Sequence, residues 1–160
     1  VVAGGPLVDV ERSSFEREVA VNLTSVFLCL RAEIAALSQT GLGGSIVNNA
    51  SIGGVAGIPG MAPYVAAKHG VIGLTRSAAL EYAAGGIRVN ALVTGNVDTP
   101  LYRRLVGVAP DADVELPAPN PMGRVASVDE IAAYVAFLLS DESRFITGAA
   151  LAIDGGATAS

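Results

Sequence analysis

An α/β domain built on a parallel sheet is what this sequence predicts, and three features predict it. Short, strand-sized apolar runs stand at 44–50 (GSIVNNA), 87–93 (IRVNALV) and 148–153 (GAALAI). Longer stretches with helical spacing lie between them, and a strand–helix–strand alternation is the signature of parallel strands joined by crossovers. An apolar share of 51% over 160 residues supplies core material for one modest domain spanning 1–160.

Composition excludes several classes of function. The net charge is −5 and no basic block occurs, so a nucleic-acid partner has no electrostatic support. The single cysteine, Cys29, cannot form an internal disulfide, and its apolar helical surroundings predict a buried packing role. One histidine and one cysteine cannot build a His/Cys zinc site, and no metal is expected. Residues 42–67 carry no charge, yet six glycines, two prolines and two asparagines among them argue against a membrane span. With no signal peptide visible at the start, a cytoplasmic location is expected.

The opening, VVAGGPLVDVE, reads as a loop. Ser13 with Glu16 three residues later has the form of a capping box, and a helical pattern follows to about Leu37. Its apolar residues fall in two stripes, Phe15, Val19, Val26 and Leu30, and Ala20, Leu23, Phe27, Ile34 and Leu37, which predicts cover on two sides. Asn22 sits within the first stripe, where an unpartnered amide costs about 1–3 kcal/mol. It is either a core asparagine bonded to backbone or a functional residue.

The strand at 44–50 ends at Ser51, and open α/β sheets gather their ligands at the carboxyl ends of strands. Pro63 suits the first turn of the next helix, which runs to about Ala84 and stops at Gly85-Gly86. Tyr64 and Lys68 stand four apart on it and share a face. A nearby cation favours a phenolate, so the pair reads as an acid/base device in which the lysine lowers the tyrosine's pKa. Lys68 is the chain's only lysine, beside nine arginines. His69 points about 100° away from Lys68 and is expected at the surface or a subunit contact.

The strand at 87–93 leads into TGNVDTPL at 94–101. Residues 101–123, with four prolines and no clear periodicity, are expected to form a loop closing over substrate. A second capping box, Ser127 to Glu130, opens a helix with Ile131, Val135 and Leu138 on one face. The last strand ends at Asp154-Gly155-Gly156.

Ser51 with Tyr64 thirteen residues on, Lys68 four further, and Asn22 in VNLTSVF upstream resemble the short-chain dehydrogenase/reductase family. TGNVDTPL and ITGAALAIDGG resemble that family's later segments. The resemblance implies a Rossmann-type doubly wound parallel sheet of which this chain is the C-terminal portion. It implies an enzyme that interconverts a secondary alcohol and a ketone by hydride transfer with NAD or NADP. Asn22, Ser51, Tyr64 and Lys68 would be catalytic, and Tyr64, Lys68, Gly95, Val97 and Thr99 would contact the cofactor.

Thr94 stands where that family usually has proline, which leaves the turn's geometry open. The glycine-rich turn that holds the cofactor pyrophosphate would precede this chain, as would the residue that selects NAD or NADP. At about 30 residues per βαβ unit, three preceding units amount to roughly 80 residues. The resemblance also implies a homotetramer or dimer acting on a small-molecule alcohol or ketone, with no membrane partner. The uncharged walls offered by Ile52, Val55, Ile58 and Met61, with Leu101, Tyr102, Leu105 and Val106, point to a neutral, largely apolar substrate. An alternative reading is a truncated, inactive fragment serving as an interaction or oligomerisation module.

Overall fold

The structure, a computed structural model, describes residues 4–159. Val1, Val2 and Ala3 of the expected opening loop lie outside the described residues.

The first helical stretch is α1, Arg12–Val19, followed without a break by a π-helical turn, Ala20–Thr24, and by α2, Ser25–Thr40. The capping box expected at Ser13 does not form. The helix starts two residues earlier, with Glu11 at its N-cap, and the Glu16 carboxylate takes the Arg12 guanidinium at 2.7 Å instead. The π turn has a local cause: the Asn22 side chain donates to the Glu18 carbonyl at 3.2 Å, and a side chain inserted into the i→i−4 ladder widens it.

This turn also redraws the covered face. Leu23, Val26, Leu30, Ile34 and Leu37, drawn from both expected stripes, pack inward, while Phe15 and Phe27 are exposed. One side of the helix is covered, because the sheet and the neighbouring helix lie on one side of it. Cys29 is exposed rather than buried, for the same reason. The 29 residues from Arg12 to Thr40 are long and apolar enough to cross a bilayer. Arg31 and Glu33 stand within them and Leu30 and Ile34 are buried, the pattern of a helix lying on a core.

Three strands form one parallel sheet in the order β1 (Gly44–Asn49), β2 (Ile87–Thr94), β3 (Ala150–Ile153). The register sets Gly44 beside Ile87 and Asn49 beside Leu92, then Ala91 beside Ala150 and Thr94 beside Ile153. Strand alternation sends Ile87, Val89, Ala91 and Val93 to one face, under α2 and α3 (Ala62–Tyr82). Arg88 and Asn90 take the other. There Arg88 donates to the carbonyls of Leu138 and Ser140, at the end of α5 (Val128–Leu139), at 3.0 and 3.1 Å.

The sheet therefore carries helices on both faces, as a doubly wound fold requires. Fully buried aliphatic side chains such as Ile87, Val89 and Leu138 each contribute about 1.5–3 kcal/mol to this core. Between Thr94 and α5 the expected loop contains a short helix, α4 (Pro100–Leu105), started by the Thr99 hydroxyl, which accepts from the Tyr102 N–H at 3.2 Å. The capping box at Ser127 and Glu130 forms as expected.

Candidate active site

Ser51 lies just past the carboxyl end of β1 and opens a 3-10 turn, Ile52–Gly54, in which its hydroxyl oxygen accepts the Gly53 N–H at 3.1 Å. Pro63 is in the first turn of α3, so Tyr64 emerges at that helix's start and Lys68 one turn on. Two glycines let the serine loop lie against this face. A β-carbon on Gly54 would come within 3.0 Å of the Lys68 carbonyl, and one on Gly53 within 3.2 Å of the Tyr64 ring. Backbone approaching that closely brings the Ser51 side chain to the Tyr64 phenol.

The electrostatics differ from the expectation that Lys68 lowers the tyrosine's pKa. Burial pushes the Tyr64 phenol above its usual value, the Ser51 hydroxyl works against that shift, and the negative charge of Glu18 adds to it. Burial also pushes the Lys68 ammonium below its usual value. The ammonium donates to the Asn49 carbonyl at 2.8 Å and lies 5.7 Å from the centre of the Tyr64 ring.

Asn22 is half-buried in the π turn, and its Nδ2 donates to the Glu18 carboxylate at 2.7 Å as well as to the Glu18 carbonyl. Glu18 itself is fully buried on α1, which packs against α3. Sequence reasoning passed over this residue. Its signal was an acid four positions before a suspect asparagine, on the same helical face. His69 is exposed and its Nδ1 meets the Val65 carbonyl at 2.9 Å, away from the Tyr64 and Lys68 cluster.

After β2, Gly95 has a packing reason of its own: a β-carbon there would meet the Asp154 Cα at 2.8 Å. Val97 pairs with Ala126 as an isolated parallel bridge whose hydrogen bonds are made by Asn96 and Asp98. By strand alternation the N–H and carbonyl of Val97 face the opposite side, where a planar amide could be read. Thr94, which stands where the resembled family usually has proline, makes a side-chain hydrogen bond. Its hydroxyl donates to Asn49 Oδ1 at 3.3 Å, tying the end of β2 to the residue that holds Lys68. One of the three Lys68 donors is spent on Asn49, which leaves others for vicinal hydroxyls, and the Thr99 hydroxyl keeps its proton to donate. These groups fit the nicotinamide and ribose end of a dinucleotide.

Beyond Thr99, the Arg103 guanidinium clamps Asp98 at 2.6 and 2.7 Å and donates to the Ala112 carbonyl at 2.8 Å. That pairing holds the Asp98 carboxyl below its usual range. The Tyr102 hydroxyl donates to the Pro117 carbonyl, so helix α4 and the proline-rich loop are sewn together.

Sheet order, helices on both faces and a polar cluster at the strand ends define an α/β domain of Rossmann type. Residues 2–158 match the family model described as enoyl-(acyl carrier protein) reductase, and the chain belongs to the short-chain dehydrogenase/reductase family. It is 45% identical over 157 residues to 2,5-dichloro-2,5-cyclohexadiene-1,4-diol dehydrogenase of Sphingobium indicum, covering 98% of this chain and 63% of that protein. It is 45% identical over 144 residues to cyclohexanol dehydrogenase of Acinetobacter sp., covering 90% and 55%.

Among solved structures it resembles levodione reductase with a TM-score of 0.88 at 38% identity, covering 99% of this chain and 63% of that one. It also resembles 4-hydroxyisoleucine dehydrogenase complexed with NADH (TM-score 0.85, 30% identity, 100% and 66% covered). A further match is ElxO with NADP bound (TM-score 0.88, 28% identity, 100% and 64% covered). The chain thus spans a little under two thirds of the first of these curated relatives, and it aligns with the C-terminal portion of the family domain.

Proposed function

We propose that this chain carries the catalytic and substrate-side part of an NAD(P)-dependent oxidoreductase that interconverts a secondary alcohol and a ketone. The observation that carries the reading is the meeting of Tyr64, Ser51 and Lys68 at the carboxyl end of the sheet. Tyr64 gives a proton to the carbonyl oxygen in reduction and takes it back in oxidation. Ser51 holds the same oxygen, a positioning role. Lys68 binds ribose hydroxyls, and Asn22 supports proton movement behind it. The cofactor, when bound, supplies the hydride chemistry. Val97 backbone and the Thr99 hydroxyl bind its carboxamide, with Gly95 letting the segment pack beneath.

The substrate is a neutral, largely apolar alcohol or ketone, with alicyclic compounds favoured. Two arginines able to meet an anionic substrate are committed elsewhere, Arg103 to Asp98 and Arg124 to Glu130. The cyclic alcohols named for two relatives support the same class. Exposed apolar side chains on α2, Phe27 and Leu28, support assembly into a homo-oligomer.

The test is a substrate panel on the enzyme that carries this chain together with its pyrophosphate-binding part. Cyclic alcohols and ketones should give the highest kcat/KM. A 3-oxoacyl carrier thioester or a free sugar outperforming all of them would overturn the substrate class.

A further inference from the structure

Among the described residues Glu18 is the only buried acidic side chain, and it stands beside the catalytic cluster rather than in the structural core. A carboxylate withdrawn from water carries a large desolvation penalty, which a merely structural position would avoid with an apolar residue. Its carboxylate accepts the Asn22 Nδ2 at 2.7 Å and its carbonyl accepts the same nitrogen at 3.2 Å, across the start of the π-helical turn. With Nδ2 committed in this way the orientation of the Asn22 amide is set, since the carboxylate would repel Oδ1.

We propose that Glu18 is a positioning residue of this site, whose carboxylate fixes the Asn22 amide and supplies the negative charge that faces the Tyr64 and Lys68 pair. The inference rests on the oxidoreductase reading above. The groups acting on Tyr64 are Lys68 on its own helix, Glu18 on α1, and the uncharged Ser51 and Gly53 of the loop after β1. A negative charge opposes formation of the phenolate. Burial is the larger influence, and Glu18 adds to it in keeping Tyr64 in its proton-donating form, the form that reduction of a ketone uses.

The test measures kcat/KM for alcohol oxidation against pH in the cofactor-competent enzyme, with variants Glu18→Gln and Glu18→Leu. Oxidation needs Tyr64 deprotonated, so the rate rises with pH through the phenol's pKa. Removing the negative charge moves that rising limb to lower pH in both variants. Glu18→Gln retains an oxygen for the Asn22 amide and keeps kcat within about twofold of wild type, whereas Glu18→Leu lowers kcat about tenfold at unchanged KM. Should Glu18→Gln not fold, Glu18→Leu reads the same limb, since an apolar side chain carries no desolvation penalty in the buried position and the Glu18 backbone carbonyl still accepts from Asn22. A limb that stays in place, or moves to higher pH, in whichever variant folds overturns the inference. Tyr64→Phe in the same assay separates the two readings: appreciable activity in that variant defeats the oxidoreductase reading, whatever Glu18 does.

Discussion

The Lys68 ammonium lies 5.7 Å from the centre of the Tyr64 ring while donating to the Asn49 carbonyl at 2.8 Å. The lysine is thus anchored to the end of β1 and presents its remaining donors beside the phenol. Tyr64 keeps its proton in this setting, because burial outweighs the help it receives from Ser51. Tyr64→Phe in the cofactor-competent enzyme should lower kcat at least a hundredfold, in line with the about 10²–10⁴ of general acid/base catalysis, with cofactor affinity nearly unchanged. Stopped-flow turnover and a cofactor fluorescence titration check both halves, and retention of a tenth of the activity would remove Tyr64 from its role.

Thr94 reaches Lys68 indirectly, through its hydrogen bond to Asn49. Thr94→Val should weaken cofactor binding about three- to tenfold, the scale of one hydrogen bond worth about 0.5–1.5 kcal/mol. The substrate KM should not move. Calorimetric titration of cofactor decides it, and an unchanged Kd would show that Asn49 holds Lys68 without help.

Gly54 is where the serine loop meets backbone of α3, with 3.0 Å to the Lys68 carbonyl for any added β-carbon. Gly54→Ala should destabilise the fold by about 1–3 kcal/mol, as overpacking does, and lower kcat by moving Ser51 off Tyr64. Urea unfolding measures the first effect. Wild-type stability and turnover together would contradict the close packing.

Glu130 closes the capping box of α5 and pairs with Arg124 at 2.7 Å. The hydrogen bond from Arg124 and the backbone N–H of Ser127 lower its pKa from 4.5 to about 2. A carboxyl with a depressed folded-state pKa stabilises the fold above about pH 4.5, and that contribution is lost as the pH falls towards 2. The pair is exposed, so salt weakens the effect. Thermal melts between pH 2 and 6 should show a shallower acid slope for Glu130→Gln than for wild type. Parallel slopes would dismiss the linkage.

The alternation of strand and helix was legible because burial on both faces leaves apolar runs at 44–50 and 87–93, and because Ser127 with Glu130 specifies a helix start within four residues. Pro63, Tyr64 and Lys68 could be placed on one helix from spacing alone. Ser13 with Glu16 carried the same local signature as Ser127 with Glu130, yet Arg12 captured the glutamate and the helix began earlier. The burial of Cys29 was misjudged, since an apolar neighbourhood in sequence does not say which side of a helix meets a partner.

Which residues share a helix, a strand or a turn follows from local steric and hydrogen-bonding preferences, and for these the chain is its own sufficient instruction. Charges and contacts across elements follow different rules. That Thr94 bonds Asn49, that Gly54 admits the serine loop against α3, and that the charge of a glutamate on α1 acts on the Tyr64 phenol all depend on packing between segments distant in sequence. The same holds for the tyrosine's proton affinity. A lysine four residues away lowers a phenol's pKa, but burial raises it, and which effect is larger is decided by the desolvation that only the assembled core sets.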